Sequence, residues 1–309
     1  MRGKETAGTL LLVTFAISGL YGQAPQSAQP KQDATSATAT PLAFEAVSVK
    51  PAPPGSLPYV PAFMRNRSVP VYGLQTMAGP VWLTISYAYQ LQISEAKAAF
   101  QKQPSWVRNR IYRETFQIKG MVTSEQVREM IRTMLADRFG LQMHEFTKEG
   151  AVNRVMLTKP GVLGPNLKPH QEGTACSTQA DASVGKAPDA STPSAPNCGF
   201  SYYYLPGGIL HIGLTDKTLV DAVRALAGIG VGGLDTKPIV DSTGLTDKYD
   251  VALEFRPDSR VSTIDPAADD NGAPTLVQAL SQQLGVRLQS GTGPVRIVVI
   301  DHIAEPTPD

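Results

Sequence analysis

The stretch from Thr123 to Phe146, TSEQVREMIRTMLADRFGLQMHEF, predicts a helix that leads into a strand. Large apolar residues recur at three- and four-residue steps and therefore share one helix face. They are Val127, Met130, Ile131, Met134, Leu135 and Phe139. Thr123 and Gln126 match a capping box that begins the helix, and Gly140 stands where a left-handed residue ends one. This stretch therefore predicts one well-delimited amphipathic helix.

The same pattern returns in Pro274 to His302, PTLVQALSQQLGVRLQSGTGPVRIVVIDH. One constant offset carries the apolar positions and the glycine of the first helix onto the second. It aligns Ile131, Met134, Leu135, Phe139 and Gly140 with Leu276, Ala279, Leu280, Leu284 and Gly285. After each helix the sequence predicts two strands joined by a turn, near Glu149 and Gly150 in the first copy and at residues 291–294 in the second.

The similarity extends upstream, where each helix follows a strand with alternating apolar residues. Tyr112, Glu114, Phe116 and Ile118 face one side of the first strand, and Tyr249, Val251, Leu253 and Phe255 face one side of the second. Earlier still, VWLTISYAYQL and TLVDAVRALAG each predict a helix after a short extended piece. We therefore predict an α+β fold of two tandem β-α-β-α-β-β units, with mostly antiparallel sheets and helices on one face, produced by duplication.

The N-terminus and the charge balance indicate where the chain works. Arg2 and Lys4 precede a short apolar run, a pattern that predicts a signal peptide at residues 1–24 or, alternatively, an uncleaved anchor. We expect an extracytoplasmic protein, periplasmic or secreted, that meets the membrane only through this segment. With Lys+Arg 28 against Asp+Glu 27, nothing favours nucleic acid as a partner.

Composition divides the remaining chain. Residues 25–43 and 171–198 are rich in Pro, Ser, Thr and Ala, which predicts flexible linkers, and they delimit folded units at 44–170 and 199–309. Cys176 and Cys198 lie in the second linker. Outside the cytoplasm they are expected to form a disulfide, and two thiols are the alternative.

VDSTG, with Asp241 and Gly244, raises the question of a catalytic aspartate. Aspartic proteases place Gly two residues after the Asp, whereas here it is three, and no acid occupies the equivalent place at residues 106–110 in the first half. Asp241 can bond the backbone two residues on, and Gly244 can take positive φ, so the sequence predicts a turn.

The other motifs do not match known catalytic, cofactor or metal sites. GIGVGG at residues 228–233 follows a predicted helix, the reverse of a dinucleotide loop, and predicts a helix exit. The four histidines lack metal-ligand spacing. We therefore expect no metal site, no cofactor and no catalytic residue; His302 beside Asp301 is the one pair worth testing for acid-base chemistry.

Aromatic residues offer a candidate ligand wall. Trp82, Tyr87 and Tyr89 lie on the first predicted helix, and Trp106 follows it. Aromatics at helical spacing fill a core or, alternatively, stack on a ligand. With Asp241 and His302, the residues Trp82, Tyr89 and Trp106 form the set of candidate ligand contacts.

The ordered motifs FEAVSVKP, WLTISYAYQL, PSWVRNRIYRETFQIKG, KPIVDSTGLTDKYDVALEF and VVIDHIAEPT resemble a family of secreted proteins, abundant as paralogs in acidobacteria, that is defined by domain of unknown function 3738. The resemblance implies an extracytoplasmic location, related domains attached to membrane sensor-type metallopeptidases, and no catalytic residues. The chain departs from the family pattern at Gln117, where an acid is usual. LVQALSQQLGVRLQ also resembles small αββ modules of secretins and TonB-dependent transporters.

Three functional hypotheses follow from the sequence. The first is a non-enzymatic module that binds an envelope protein or ligand. The second is a hydrolase that uses Asp241, Asp301 and His302, with Asp250 as a further candidate. The third is a sensor or inhibitor that acts with a membrane metallopeptidase. Convergence of the acidic and histidine side chains in one pocket would favour the second.

Overall fold

The protein is an α+β structure with two hydrophobic cores, each built from a small antiparallel sheet and the helices packed against it. The computed structural model describes residues 42–65, 70–173, 199–257 and 272–306. Residues Pro41–Asp309 group into one compact unit. The predicted signal peptide, residues 25–41 of the first linker, and both Cys176 and Cys198 lie outside the described residues.

The first sheet is built around a central strand. Strand β1 (Ala46–Pro51) precedes the short helix α1 (Ala62–Arg65), and both β1 and β2 (Val71–Pro80) pair antiparallel with β3 (Ile111–Val122). The alternating residues of β3 that the sequence placed on one face are all buried, as predicted. They are Tyr112, Glu114, Phe116 and Ile118.

Three helices lie between β2 and β3, namely α2 (Val81–Ala88), α3 (Ile93–Phe100) and α4 (Ser105–Asn109). The long helix α5 (Ser124–Phe139) follows β3, and strand β4 (Gln142–Leu157) follows α5. Both halves of the predicted capping box at the start of α5 are formed, and the helix ends at a left-handed glycine with φ 57°. The sequence prediction for this helix is confirmed at both ends.

The second sheet has four strands. It has the strand order β5 (Leu167–Pro169), β9 (Lys248–Phe255), β7 (Ile209–Thr218) and β6 (Phe200–Leu205). Between β7 and β9 lie α6 (Leu219–Gly228), a 3₁₀ helix (Val231–Thr236) and the short strand β8 (Ile239–Asp241). Helix α7 (Leu276–Gln283) then leads into the last strand, β10 (Val286–His302).

Strands β4 and β10 form one long antiparallel ribbon. The register runs from Leu157 opposite Val286 to Gln142 opposite His302, with Glu149 opposite Pro294 at the middle. The offset that aligns the two helices in the sequence also carries Glu149 onto Pro294. The two sequence halves therefore share one sheet, and β8 extends it by pairing parallel with the end of β4.

The prediction of a tight hairpin in each half is wrong. A two-residue hairpin loop needs left-handed residues, usually glycine. Gly150, Gly291 and Gly293 do not take that conformation, and each chain segment continues as a single strand instead. Each strand finds its antiparallel partner in the other half of the chain rather than by folding back on itself.

This pairing exchanges strands between the cores. The start of β4 packs against the first core through Met143, whereas Val155 near its end lies in the second core. Strand β10 runs the other way, from Val286 in the second core to Ile300 against the first. Each core therefore contains side chains from both predicted units.

Candidate functional site

A cleft of about 800 Å³ lies between α2 and α3 on one side and α6 on the other. The volume is within the range of roughly 300–1,000 Å³ typical of small-molecule sites. Trp82, Leu83, Leu91 and Ile93 contribute apolar surface, and Pro294 from the middle of the ribbon also lines it. The cleft therefore combines residues from both halves of the chain.

Basic residues outnumber acidic ones in the cleft by two. The basic residues are Arg128, Lys217, Arg224 and Arg296, and the acidic residues are Glu95 and Asp221. Such an excess favours a ligand with negative charge.

Two of the arginines are already satisfied by protein groups. Arg224 donates to the carbonyl of Ile239 at 3.0 and 3.2 Å and lies 3.3 Å from Asp221. Arg296 donates from Nε to Glu145 at 2.7 Å and from Nη1 to the carbonyl of Tyr89 at 3.2 Å. Because these contacts hold them in place, Arg224 and Arg296 act as fixed walls of the cleft.

Arg128 is different, since it is only 5% exposed and incompletely bonded. Its Nη2 donates to Glu125 one turn earlier, and its guanidinium carbon lies 5.9 Å from the centre of the Tyr87 ring. Among the described residues, no acceptor reaches Nε or Nη1. A buried charged donor without an acceptor costs free energy, so this side chain needs a physical explanation.

Glu95 is the buried acid of the cleft. Burial raises the pKa of this carboxyl group, and a hydrogen bond from the backbone of Gln92 together with the charges of Arg296 and Arg224 opposes the rise. The same Gln92 accepts a hydrogen bond through its side chain from the backbone of Ile239 at 2.8 Å. Glu95 thus belongs to the link between α3 and β8.

A second buried acid, Glu114, lies in the first core. Its carboxyl group accepts hydrogen bonds from the Thr84 hydroxyl at 3.0 and 3.1 Å. Burial raises its pKa to about 8, against which the Thr84 hydrogen bond acts. The group therefore carries a proton over much of the neutral range. The sequence offered a signal, an acid among the apolar residues of one strand face, but the signal was not interpreted.

The predicted aromatic wall is only partly formed. Trp82 and Tyr87 line the cleft. Tyr89 lies under the guanidinium of Arg132, 5.6 Å from the ring centre, and burial raises its pKa. Trp106 stacks on Phe139 at 6.5 Å against the first core. Of the four aromatic candidates, two therefore line the cleft.

Asp241 forms the turn that the sequence predicted. Its carboxylate accepts hydrogen bonds from both the backbone and the hydroxyl of Thr243 at 2.7 Å, and Gly244 has φ +73°. The side chain therefore shapes the backbone between β8 and β9.

The acid-base candidates do not converge. Asp241 lies opposite Val155 on the ribbon, whereas His302 lies opposite Gln142, so roughly 40 Å of strand separates them at about 3.3 Å per residue. Asp301 bonds His144 at 2.8 Å rather than its neighbour His302.

Asp250 is engaged elsewhere, with His170 at 2.7 Å. A single site that contains Asp241, Asp301 and His302 is therefore incompatible with the fold.

Arg128 is the residue that the sequence analysis missed. It stands one position after the buried Val127 and is bracketed by the charged residues Glu125 and Arg132, which gave it the pattern of a solvated helix face. Its burial depends on α2, which packs against α5. No signal in the local sequence distinguishes it from Arg132.

The described residues show neither a metal-binding cluster nor a membrane-spanning helix. They contain no group of three or more His, Cys, Asp or Glu side chains that could hold a metal ion. None of their helices is both long and apolar enough to cross a membrane.

The fold and the cleft define a class: an α+β protein whose two cores exchange strands and enclose a ligand-sized cleft between them. The family model described as "Protein of unknown function (DUF3738)" matches residues 82–303, and the chain belongs to this family. No curated protein and no solved structure matches the chain. The resemblance found in the sequence motifs is thereby confirmed at the level of the domain.

Proposed function

We propose that this protein is a non-enzymatic binding protein that works outside the cytoplasmic membrane and holds a ligand in the cleft between α2, α3 and α6. The observation that carries the proposal is the cleft itself, about 800 Å³ in volume and lined by residues of both halves. The lining combines apolar with polar and charged side chains, and concave sites that bring such groups together are the usual form of small-molecule sites.

The separation of the acid-base candidates supports binding rather than hydrolysis. Asp241 is used by its own turn, Asp250 is bonded to His170 just after β5, and Asp301 is bonded to His144 on β4. General acid-base catalysis needs its groups within hydrogen-bond reach of one substrate atom. Asp241 and His302 are too far apart for that.

The proposal includes two further points: the protein is exported, and its two halves arose by duplication. Arg2 and Lys4 ahead of an apolar run support export. Duplication is supported by the repeated order of strand, helix, strand, helix and long strand, and by the offset that relates Gly140 to Gly285 and Glu149 to Pro294. In such an arrangement a cleft between two related halves is a natural ligand site.

Filling the cleft tests the proposal. The neutral apolar fluorophore N-phenyl-1-naphthylamine serves as the probe in titrations of the full chain. Gly228 lines the cleft, and a Cβ atom added there would meet nothing within 4 Å. Gly228→Phe places a ring at the edge of the cleft without a clash at Cβ and should weaken probe binding by about tenfold or more.

Gly228→Ala is the matched control, since it adds a single methyl group at the same position. It should bind the probe as the unmodified chain does. Equal binding by Gly228→Phe and Gly228→Ala would reject the cleft as the site.

A further inference from the structure

The cleft contains one buried cation whose bonding is incomplete, and this residue indicates the chemistry of the ligand. Arg128 lines the cleft from the second turn of α5, with Glu125 on one side of its guanidinium and the Tyr87 ring nearby. These two contacts fix the guanidinium in position. They leave Nε and Nη1, which are buried, without an acceptor among the described residues.

A guanidinium held in this way is a preorganised anion site. Burying a charge is costly unless it is paired and hydrogen-bonded, and most buried donors in proteins have a partner. Planar guanidinium groups recognise carboxylate and phosphate oxygens through charge-assisted hydrogen bonds. An oxyanion that reaches Arg128 from the cleft would provide the missing acceptor.

The two other arginines of the cleft do not offer the same vacancy. Arg224 donates to the carbonyl of Ile239, and Arg296 donates to Glu145 and to the carbonyl of Tyr89. The adjoining walls, with Trp82, Leu83 and Leu91, suit an apolar body rather than a bare ion.

We propose that the ligand is an amphiphilic organic oxyanion, whose carboxylate or phosphate group binds Arg128 and whose apolar body lies along Trp82 and Leu83. This inference rests on the proposed function, because it requires the cleft to be the binding site. The inference extends the proposed function, because it assigns the chemical class of the ligand and names Arg128 as the residue that selects this ligand.

Displacement of N-phenyl-1-naphthylamine from the full chain tests the inference. The competitors are octanoate, octyl phosphate and octanamide, which share an eight-carbon chain and differ in charge. At least one of the two anions should displace the probe at about tenfold lower concentration than the amide. The stronger anion identifies whether the head group is a carboxylate or a phosphate.

Arg128→Met keeps a long apolar side chain against Tyr87 and removes the charge. All three competitors should then displace the probe at similar concentrations, whereas Arg128→Lys should retain part of the preference for the anion. Arg132→Met is the matched control, because Arg132 belongs to the same helix, bonds the carbonyl of Ala88 and does not line the cleft. This variant should keep the full preference.

Thermal unfolding separates ligand selection from a purely structural role. Arg128→Met should melt at the same temperature as the unmodified chain or higher, since an incompletely bonded buried charge is removed. A lower melting temperature together with an unchanged preference for the anion would assign Arg128 a structural role and overturn the inference.

Two further results would also overturn it: equal displacement by anions and amide from the unmodified chain, or no saturable displacement by either anion. Failure of the anion preference is distinguishable from failure of the cleft. If octanamide competes as well as octanoate while Gly228→Phe still blocks the probe, the cleft stands and the oxyanion is rejected. If Gly228→Phe has no effect on the probe, the cleft itself is rejected.

Discussion

The two halves of the molecule share a plan but differ at the positions that matter for the cleft. A left-handed glycine, Gly140, directly follows α5, and the aligned left-handed Gly285 follows α7 after one intervening residue, yet α5 has 16 residues and α7 has 8. The extra turns stand at the start of α5 and carry Glu125 and Arg128. At the position that the same offset aligns with Arg128 the sequence has Ala273, just before the start of α7. The cation beside the cleft therefore belongs to the first half alone at this aligned pair.

The central strands of the two sheets differ in the same way. On the buried face of β3 the second position is Glu114, whereas on β9 it is Val251, and both side chains are at most 4% exposed. A valine at this position is ordinary core packing. A buried glutamic acid is costly, so the first core holds a polar group at a position where the second core is apolar.

The largest expected effect concerns the independence of the two cores. Leu135→Ala and Leu280→Ala remove the same buried group at aligned positions, and each should cost about 3–5 kcal/mol in the free energy of unfolding. Because β4 and β10 cross from one core to the other, we expect one cooperative transition in each variant. Denaturant unfolding should be followed by tryptophan fluorescence and far-UV circular dichroism.

Both tryptophans, Trp82 and Trp106, pack against the first core. Their fluorescence therefore reports on that core, whereas circular dichroism reports on all helices and strands. If the two signals separate in Leu135→Ala, the cores unfold independently and the ribbon does not couple them.

The next effect concerns the buried acid. The pKa of Glu114 is raised from 4.5 to about 8 by burial, so between these values the folded chain binds more protons than the unfolded chain. The free energy of unfolding should therefore fall as the pH rises through this window. Glu114→Gln, which keeps a partner for Thr84, should remove on the order of 3 kcal/mol of this decline between pH 5 and pH 7.5.

Chemical denaturation at a series of pH values measures this directly. Glu129→Gln, on the exposed face of α5, serves as the control and should leave the pH profile of the unmodified chain unchanged. If the free energy of unfolding of Glu114→Gln falls with pH as steeply as that of the unmodified chain, a group other than Glu114 causes the decline.

A smaller effect tests the helix starts. Thr123 and Thr275 cap α5 and α7 with the same box, each accepting a hydrogen bond from the backbone of a glutamine three residues later. Replacement of either by Ala should cost about 1 kcal/mol, and the corresponding Ser variants should keep most of the stability. A much smaller cost at Thr123 than at Thr275 would indicate that the longer helix relies on the Glu125–Arg128 pair instead.

The smallest effect concerns the ends of two helices beside the cleft. Helix α2 ends at Ala88, whereas α6 ends at Gly228, whose backbone an ordinary residue can adopt. Gly228→Ala should raise the free energy of unfolding by roughly 0.5 kcal/mol, because it reduces the freedom of the unfolded chain. A lower free energy of unfolding would show that neighbouring atoms crowd a methyl group at position 228.

Local patterns predicted the local structure well. The apolar spacing of α5, its capping box and Gly140 fixed both ends of that helix, and the alternation of β3 and β9 identified their buried faces. The Asp241 turn was predicted for the same reason. All of these depend on contacts between residues a few positions apart.

The features that the sequence did not predict depend on contacts between residues distant in the chain. The run after α5 has the same alternation whether it folds back at Gly150 or continues to pair with β10, so sequence alone could not distinguish a hairpin from a ribbon. The cleft residues are distant in sequence, and the burial of Arg128 results from packing against α2. Of the aromatic candidates, Trp82 and Tyr87 line the cleft, whereas Trp106 packs against Phe139, and ligand contact by any of them stays a prediction.

The ribbon has a consequence for fragment complementation. Each piece of a chain cut just after Gly173 would carry one ribbon strand and most of one core, but would lack strand residues that the other piece supplies to that core. Neither piece would be expected to fold alone. When the two pieces are produced together, they should associate and fold through the sixteen residue pairs that β4 and β10 form.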